Sequence, residues 1–120
     1  MYESGEMYLE TIYVLKNKNG SVRSIDIARE LDFSKPSVSR GVGILKKEQY
    51  ILVDENGYIT LTDKGLETAK AIFEKHLFIT DFLVKTLGIS KELAEEDACK
   101  MEHIISDETF RKMKEYLGQN

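Results

Sequence analysis

The stretch Ser24 to Leu61, SIDIARELDFSKPSVSRGVGILKKEQYILVDENGYITL, decides the fold. It opens with a short helix, Ile25 to Leu31, which Ser24 is placed to cap and Asp26 supports from the first turn. Asp32-Phe33-Ser34 leaves room only for a tight connection. Ser34 is the next N-cap, and Pro36 falls in the first turn of the helix that follows, where its missing N–H is harmless. Val38, Val42 and Leu45 repeat at helical spacing and predict the buried stripe of that helix. Two β-rich runs come next, Ile51-Leu52-Val53 and Tyr58-Ile59-Thr60-Leu61, with Asp54-Glu55-Asn56-Gly57 between them. Asn-Gly between such runs is a strong hairpin signal. Helix, tight turn, helix, hairpin is the plan of a winged helix-turn-helix.

Upstream, Ser4 to Lys16 reads as a helix with Tyr8, Leu9, Ile12, Tyr13 and Leu15 at helical spacing, ended by Asn17-Lys18-Asn19-Gly20. Downstream, Thr62 caps a long helix to about Thr86, which Leu87-Gly88 ends. Ser90 caps another, Lys91 to Ile105, and Ser106 a last one, Asp107 to Leu117, with Gly118 as its stop. The expected fold is mainly α. Residues 1–65 are expected to form a winged helix-turn-helix with a small β-hairpin wing, and residues 66–120 an α-helical domain.

With 120 residues, 42% of them hydrophobic, the chain has apolar side chains enough for a core without covalent staples. A single Cys excludes an intramolecular disulfide framework and fits a reducing, cytoplasmic setting. Apolar runs are too short to span a membrane. The start, Met1 to Glu6, has neither the basic nor the apolar region of a secretory signal. The net charge of -4 would by itself disfavour nucleic acid, but it hides an uneven distribution. Residues 33–47 carry Lys35, Arg40, Lys46 and Lys47 and no acid, whereas residues 92–102 carry Glu92, Glu95, Glu96, Asp97 and Glu102 against Lys100 alone. Charge runs by themselves read as solvated helix faces; their neighbours decide otherwise.

In a helix-turn-helix the second helix enters the major groove, N-terminal residues toward the bases. Here Ser34, Lys35 and Pro36 form its tip, and Ser37, Ser39, Arg40 and Gly41 its outer side. Arg40 can donate to a guanine edge or a phosphate, and the serines are short donors that allow close approach. Asp54 and Glu55 would repel phosphates, so the wing is expected to add little affinity.

On the acidic helix, about 100° per residue places Glu92, Glu95, Glu102, His103 and Ser106 within about 60° of Cys99, with Glu96 at the margin. Leu93, Ala94, Met101, Ile104 and Ile105 fall on the other side. Cys99, Glu102 and His103 thus offer a thiol, a carboxylate and an imidazole together, a set able to chelate one divalent ion. His76, the other His, lies on the preceding long helix. On residue type alone, Met7 reads as core and Glu10 as solvent-facing.

Asp97-Ala98-Cys99-Lys100-Met101-Glu102-His103-Ile104-Ile105-Ser106 resembles the metal-binding helix of the diphtheria-toxin-repressor family of iron- and manganese-dependent repressors. Glu6-Met7-Tyr8-Leu9-Glu10-Thr11-Ile12-Tyr13 resembles that family's first helix, Pro36 with Val38-Ser39-Arg40 its recognition helix, and Leu61-Thr62-Asp63-Lys64-Gly65 its wing-to-helix junction. The likeness covers essentially the whole chain. It implies a primary metal site of Met7, Cys99, Glu102 and His103, with His76 at an ancillary position. Glu10 matches a carboxylate ligand of the manganese branch, while Met7 and Cys99 match the sulfur ligands of the iron branch. Softer ligands favour Fe²⁺ over Mn²⁺. Thr80 and Glu95 depart from the iron branch's ancillary carboxylate and second His. A second site is therefore either missing or rebuilt from His76, Glu10, Glu95 and Glu102. The SH3-like C-terminal domain of long members is not in these 120 residues, so the chain resembles a short form.

The resemblance implies a metal-dependent repressor of metal-homeostasis genes that binds double-stranded operator DNA as a homodimer, with residues 1–65 as the DNA-binding domain and residues 66–120 as the metal-binding and dimerisation domain. Metal held by both halves would fix their angle and hence the spacing of two recognition helices. Phe78, Ile79, Phe82, Leu83, Ile105, Phe110, Met113 and Leu117 supply apolar surface for the dimer or for a helical core. The alternative is a metal-independent winged-helix regulator in which Cys99 senses oxidants; a winged helix that docks protein is a further one. No Gly-rich phosphate loop or strand-end nucleophile turn is present, so an enzyme is not expected.

Overall fold

The computed structural model describes residues 2–118. The outer ends of the two expected domains, Met1 and Gln119–Asn120, lie outside the described residues. The elements are α1 (Glu3–Asn19), α2 (Ser24–Leu31), α3 (Lys35–Lys47), β1 (Ile51–Val53), β2 (Ile59–Leu61), α4 (Asp63–Leu87), α5 (Lys91–Met101) and α6 (Asp107–Gly118). They divide into two compact units, Met1–Ala71 and Ile72–Asn120.

In the first unit, Leu9, Ile12, Val22, Ile27, Val38, Leu45, Ile51 and Ile59 are the buried centre, with Tyr8, Leu15, Ala28, Val42 and Ala69 around them. Each Ile or Leu so buried contributes roughly 1.5–3 kcal/mol. The α3 stripe read from Val38, Val42 and Leu45 is thus the inner face of that helix. Its start is as expected: the Ser37 N–H donates to Ser34 Oγ at 3.3 Å. Two helix ends differ. α1 runs on through Asn19, with Lys16 and Lys18 in its last turn, favourable for the helix dipole, and the Gly20 N–H closes it on Lys16 O. α2 begins at Ser24 itself, and its cap is Arg23, whose N–H is held by Asp26 Oδ2 at 2.9 Å. Asp26 therefore satisfies the end that Ser24 was expected to cap. Asp32 then adopts the left-handed conformation, φ 55°, which turns the chain from α2 toward α3.

β1 and β2 are antiparallel with Ile51 opposite Leu61 and Val53 opposite Ile59. Asp54 closes the hairpin: its Oδ1 accepts the N–H groups of Asn56 and Tyr58, each at 2.9 Å. Gly57 sits at φ +85°, where a side chain would be strained. The Ile59 N–H donates to Val22 O at 2.8 Å, and Arg23 pairs with Tyr58 in an isolated bridge, so residues 22–23 add a short third edge. Thr62 caps α4 by accepting the Gly65 N–H at 3.0 Å and donates its own proton to Gln49 O at 2.7 Å.

In the second unit, Ile79, Leu83, Ala94 and Ala98 are the buried centre, flanked by Phe82, Val84, Ile89, Met101, Ile105, Phe110 and Met113. Ser90 caps α5 and Ser106 caps α6, as their positions predict. α5, however, ends at Met101 and not at Ile105. Beyond Glu102 two three-residue bonds appear, His103 N–H to Lys100 O and Ile104 N–H to Met101 O, and Ile105 N–H also closes on Met101 O before the chain reaches Ser106. The single helix face drawn through Cys99, Glu102 and His103 is therefore a helix end plus a turn. Leu93 and Ile104, expected on the apolar side, are exposed. Among the described residues no helix is long and apolar enough to cross a membrane.

Candidate functional site

In the second unit, His76 of α4, Cys99 of α5 and Glu102 of the turn converge. A ligand atom from each lies within 4.8 Å of the others. Two local features bring this about. Ala94 and Ala98, one turn apart on α5, are small enough to be fully buried with Ile79 and Leu83 of α4. His76 precedes Ile79 by one turn and Cys99 follows Ala98, so apolar packing carries both to the same place. The helix end then adds Glu102, whose side chain has no exposed surface.

Glu102 is the centre of the group. Its Oε2 lies 2.9 Å from His76 Nδ1 and its Oε1 3.2 Å from His103 Nε2. The His103 side chain is almost fully buried as well, whereas Cys99 is exposed. The His76 ring stacks on Phe73, centroids 6.2 Å apart. Thr80 donates its hydroxyl to His76 O at 2.9 Å. Glu95 is exposed on the surface of α5. A carboxylate withdrawn from water costs several kcal/mol unless positive charge and donors compensate it. His76, Cys99 and Glu102 offer an imidazole, a thiol and a carboxylate to one ion, while His103 meets the other carboxylate oxygen, and a donor set of this kind fits Fe²⁺ or Zn²⁺ better than Mg²⁺ or Ca²⁺.

In the first unit, Met7 is half-buried on α1, and Glu10, read as solvent-facing from its type, is buried. On α3, Ser34, Lys35, Pro36, Ser39 and Arg40 are exposed and Ser37 is half-buried. Ser34 donates its hydroxyl to Ser37 Oγ at 2.8 Å, so Ser34 is first of all a cap, and Ser37 keeps a proton to offer outward. The first turn of α3 holds no acid, and Lys35 adds to the positive end of the helix dipole, which suits a phosphate. Gly41, placed on the outer side from its angle, instead faces Tyr8 of α1: a Cβ there would overlap the Tyr8 ring.

One cation at the wing was not read from the sequence. Arg23 packs its guanidinium 5.2 Å from the Tyr58 ring centroid and lies beside Gly57 at the hairpin turn. With the Asp54 carboxylate engaged by two backbone N–H groups, the wing is less anionic toward a neighbour than its composition indicates. No local pattern in the sequence announces Arg23, because it reaches the hairpin through a bridge between residues 23 and 58.

A winged helix with a cationic second helix, joined to a helical unit that gathers His, Glu and Cys, is the architecture of a two-part winged-helix regulator. The chain belongs to the iron-dependent repressor family: residues 1–61 match its N-terminal DNA binding domain and residues 62–120 its metal binding and dimerisation domain. It is 37% identical over 118 residues to an uncharacterised HTH-type transcriptional regulator of Methanocaldococcus jannaschii, covering 98% of this chain and 94% of that one. It is 32% identical over 118 residues to the iron-dependent repressor IdeR of Mycobacterium tuberculosis, covering 98% of this chain but only 51% of that relative. Among solved structures, the manganese regulator SloR superposes with a TM-score of 0.81 at 30% identity, over 97% of this chain and 54% of that one. The chain thus spans about half the length of the iron and manganese regulators named.

Proposed function

We propose that the chain is a divalent-metal-dependent transcriptional repressor that binds double-stranded operator DNA as a homodimer in the cytoplasm and controls metal-homeostasis genes, with Fe²⁺ favoured and Mn²⁺ the other candidate. The carrying observation is Glu102, a fully buried carboxylate with an imidazole nitrogen at 2.9 and at 3.2 Å and the Cys99 thiol close by. Cys99, Glu102 and His103 are the proposed ligands from the helical half, with His76 as an ancillary ligand beside them. Met7 and Glu10 complete the set on the strength of the family resemblance. A bound cation would supply positive charge at this buried carboxylate. Cys99 contributes softness, which is the reason to favour iron. The function is binding, and no catalytic residue is assigned.

On the DNA side, Arg40 reads a base edge or holds a phosphate, Ser37 and Ser39 donate at short range, and Ser34, Lys35 and Pro36 seat the helix tip at the backbone. Two such helices in a dimer meet half-sites about one DNA turn apart. Metal and DNA then strengthen each other's binding by the same factor. The exposure of Cys99 favours one other reading, a regulator that binds DNA without metal and releases it on thiol oxidation.

The test is titration of the chelator-stripped protein with Fe²⁺ under anaerobic conditions and with Mn²⁺, following metal stoichiometry and DNA retention together. DNA retention rises with metal in the native chain and stays flat in Cys99→Ala and His103→Ala. Metal-stimulated retention at the native level in either variant removes the ligand assignment, and retention independent of metal but sensitive to peroxide favours the thiol reading.

A further inference from the structure

We infer that Tyr8 is a positioning residue that carries the state of α1 to the DNA-reading helix; the inference rests on the metal-dependent reading above. Tyr8 follows Met7 directly and lies two residues before Glu10, the two candidate ligands on α1. Tyr8 is 5% exposed and belongs to the core of the first unit. There it fills the space that Gly41 leaves by having no side chain: a Cβ at position 41 would coincide with the ring's Cδ2–Cε2 edge. The same ring meets Phe33 edge to face, centroids 6.0 Å apart and planes at 79°.

These two contacts lie on either side of the DNA-facing residues. Phe33 immediately precedes the Ser34 cap, and Gly41 immediately follows Arg40. One aromatic plate therefore bears on α3 at its entry and at mid-length. Two separated supports set the tilt of a helix, where one would set only its distance. At Gly41 the plate meets helix backbone, so no flexible side chain stands between them to absorb a displacement. Interiors packed to this density transmit a shift instead of yielding to it. A movement of α1 caused by engagement of Met7 or Glu10 becomes a movement of Ser37, Ser39 and Arg40.

The experiment uses a duplex selected from a random-sequence pool by the Mn²⁺-loaded native chain. For the native chain, Tyr8→Leu and Tyr8→Phe, three quantities are read: Mn²⁺ affinity of the free protein, amide exchange of α3 with and without Mn²⁺ in the absence of DNA, and DNA affinity with and without Mn²⁺. In the native chain Mn²⁺ slows exchange in α3 and raises DNA affinity, within the roughly 5–150-fold range usual for coupled sites. Tyr8→Leu keeps its Mn²⁺ affinity but loses both responses, and its ratio of loaded to metal-free DNA affinity falls to near one. Tyr8→Phe keeps both. Gly41→Ala, which must push the ring aside, loses the responses as Tyr8→Leu does and serves if that variant does not fold. Native-sized responses in Tyr8→Leu or in Gly41→Ala overturn the inference, as does their loss in Tyr8→Phe. A native chain that binds Mn²⁺ with no change in DNA affinity instead overturns the metal-dependent reading and the inference with it.

Discussion

Glu102 concentrates the chemistry of the second unit in one side chain. Its carboxylate has no exposed surface, and its nearest charged-capable neighbours are His76 and His103. Replacing it by Gln removes the charge and keeps the shape. Glu102→Gln is therefore expected to weaken metal binding by at least about tenfold, since even residues that merely orient ligands cost 10–100-fold. The metal-free melting temperature should hold, because Gln keeps the shape and its amide can still hydrogen-bond the His76 and His103 nitrogens without burying a charge. Isothermal titration and a thermal melt of the stripped protein decide both parts. A large drop in the metal-free melt with intact metal affinity would make Glu102 a structural ion-pair centre instead.

At the scale of elements, α3 and the hairpin make separable contributions. Arg40 is exposed on α3, so Arg40→Ala should leave stability unchanged within about 0.5 kcal/mol. It should weaken DNA binding by about 1–3 kcal/mol if the guanidinium reads a base, or lower the salt slope by about one if it holds a phosphate. A salt series on a selected duplex distinguishes the two, and unchanged affinity at all salt concentrations would remove Arg40 from the interface. The hairpin behaves in the opposite sense. Asp54 accepts two N–H bonds inside its turn, so Asp54→Ala should cost about 1 kcal/mol or somewhat more in stability. That cost appears in denaturant unfolding. Any effect on DNA affinity follows only from a disturbed wing, where Arg23 rests on Tyr58.

For the molecule as a whole, the chain consists of two compact units, and the two family domains lie one after the other along it. The second unit has a small centre of Ile79, Leu83, Ala94 and Ala98, and partly covered Phe82, Phe110 and Met113 around it. A ligand that binds the folded form alone stabilises it by about 2.7 kcal/mol at a hundredfold excess over its dissociation constant. Added Fe²⁺ or Mn²⁺ should accordingly raise the melting temperature by several degrees, and a chelator should reverse the gain. Scanning calorimetry with metal and then with chelator checks this. A melt indifferent to metal at saturating concentration would show that no folded-state site of useful affinity exists.

Much of this protein was legible along the chain. Ser34, Thr62, Ser90 and Ser106 each cap the helix they precede, Asn56-Gly57 marks the hairpin, and Val38, Val42 and Leu45 form one buried stripe. These features depend on neighbours within a few residues, so local stereochemistry and periodicity were sufficient to determine them. The family likeness, too, resides in short runs of consecutive residues. What required tertiary structure was every relation between distant positions. Glu10 is buried although its type indicated solvent, and Gly41 meets Tyr8 although its helical angle put it outward. α5 ends before Glu102, which no propensity at that position announces, since the turn is drawn by packing and by the cap of α6. Sequence alone determined the order of elements and the chemical types on offer. Only packing decided which of them meet, because burial and contact between residues far apart in the chain depend on the whole fold and not on local preference.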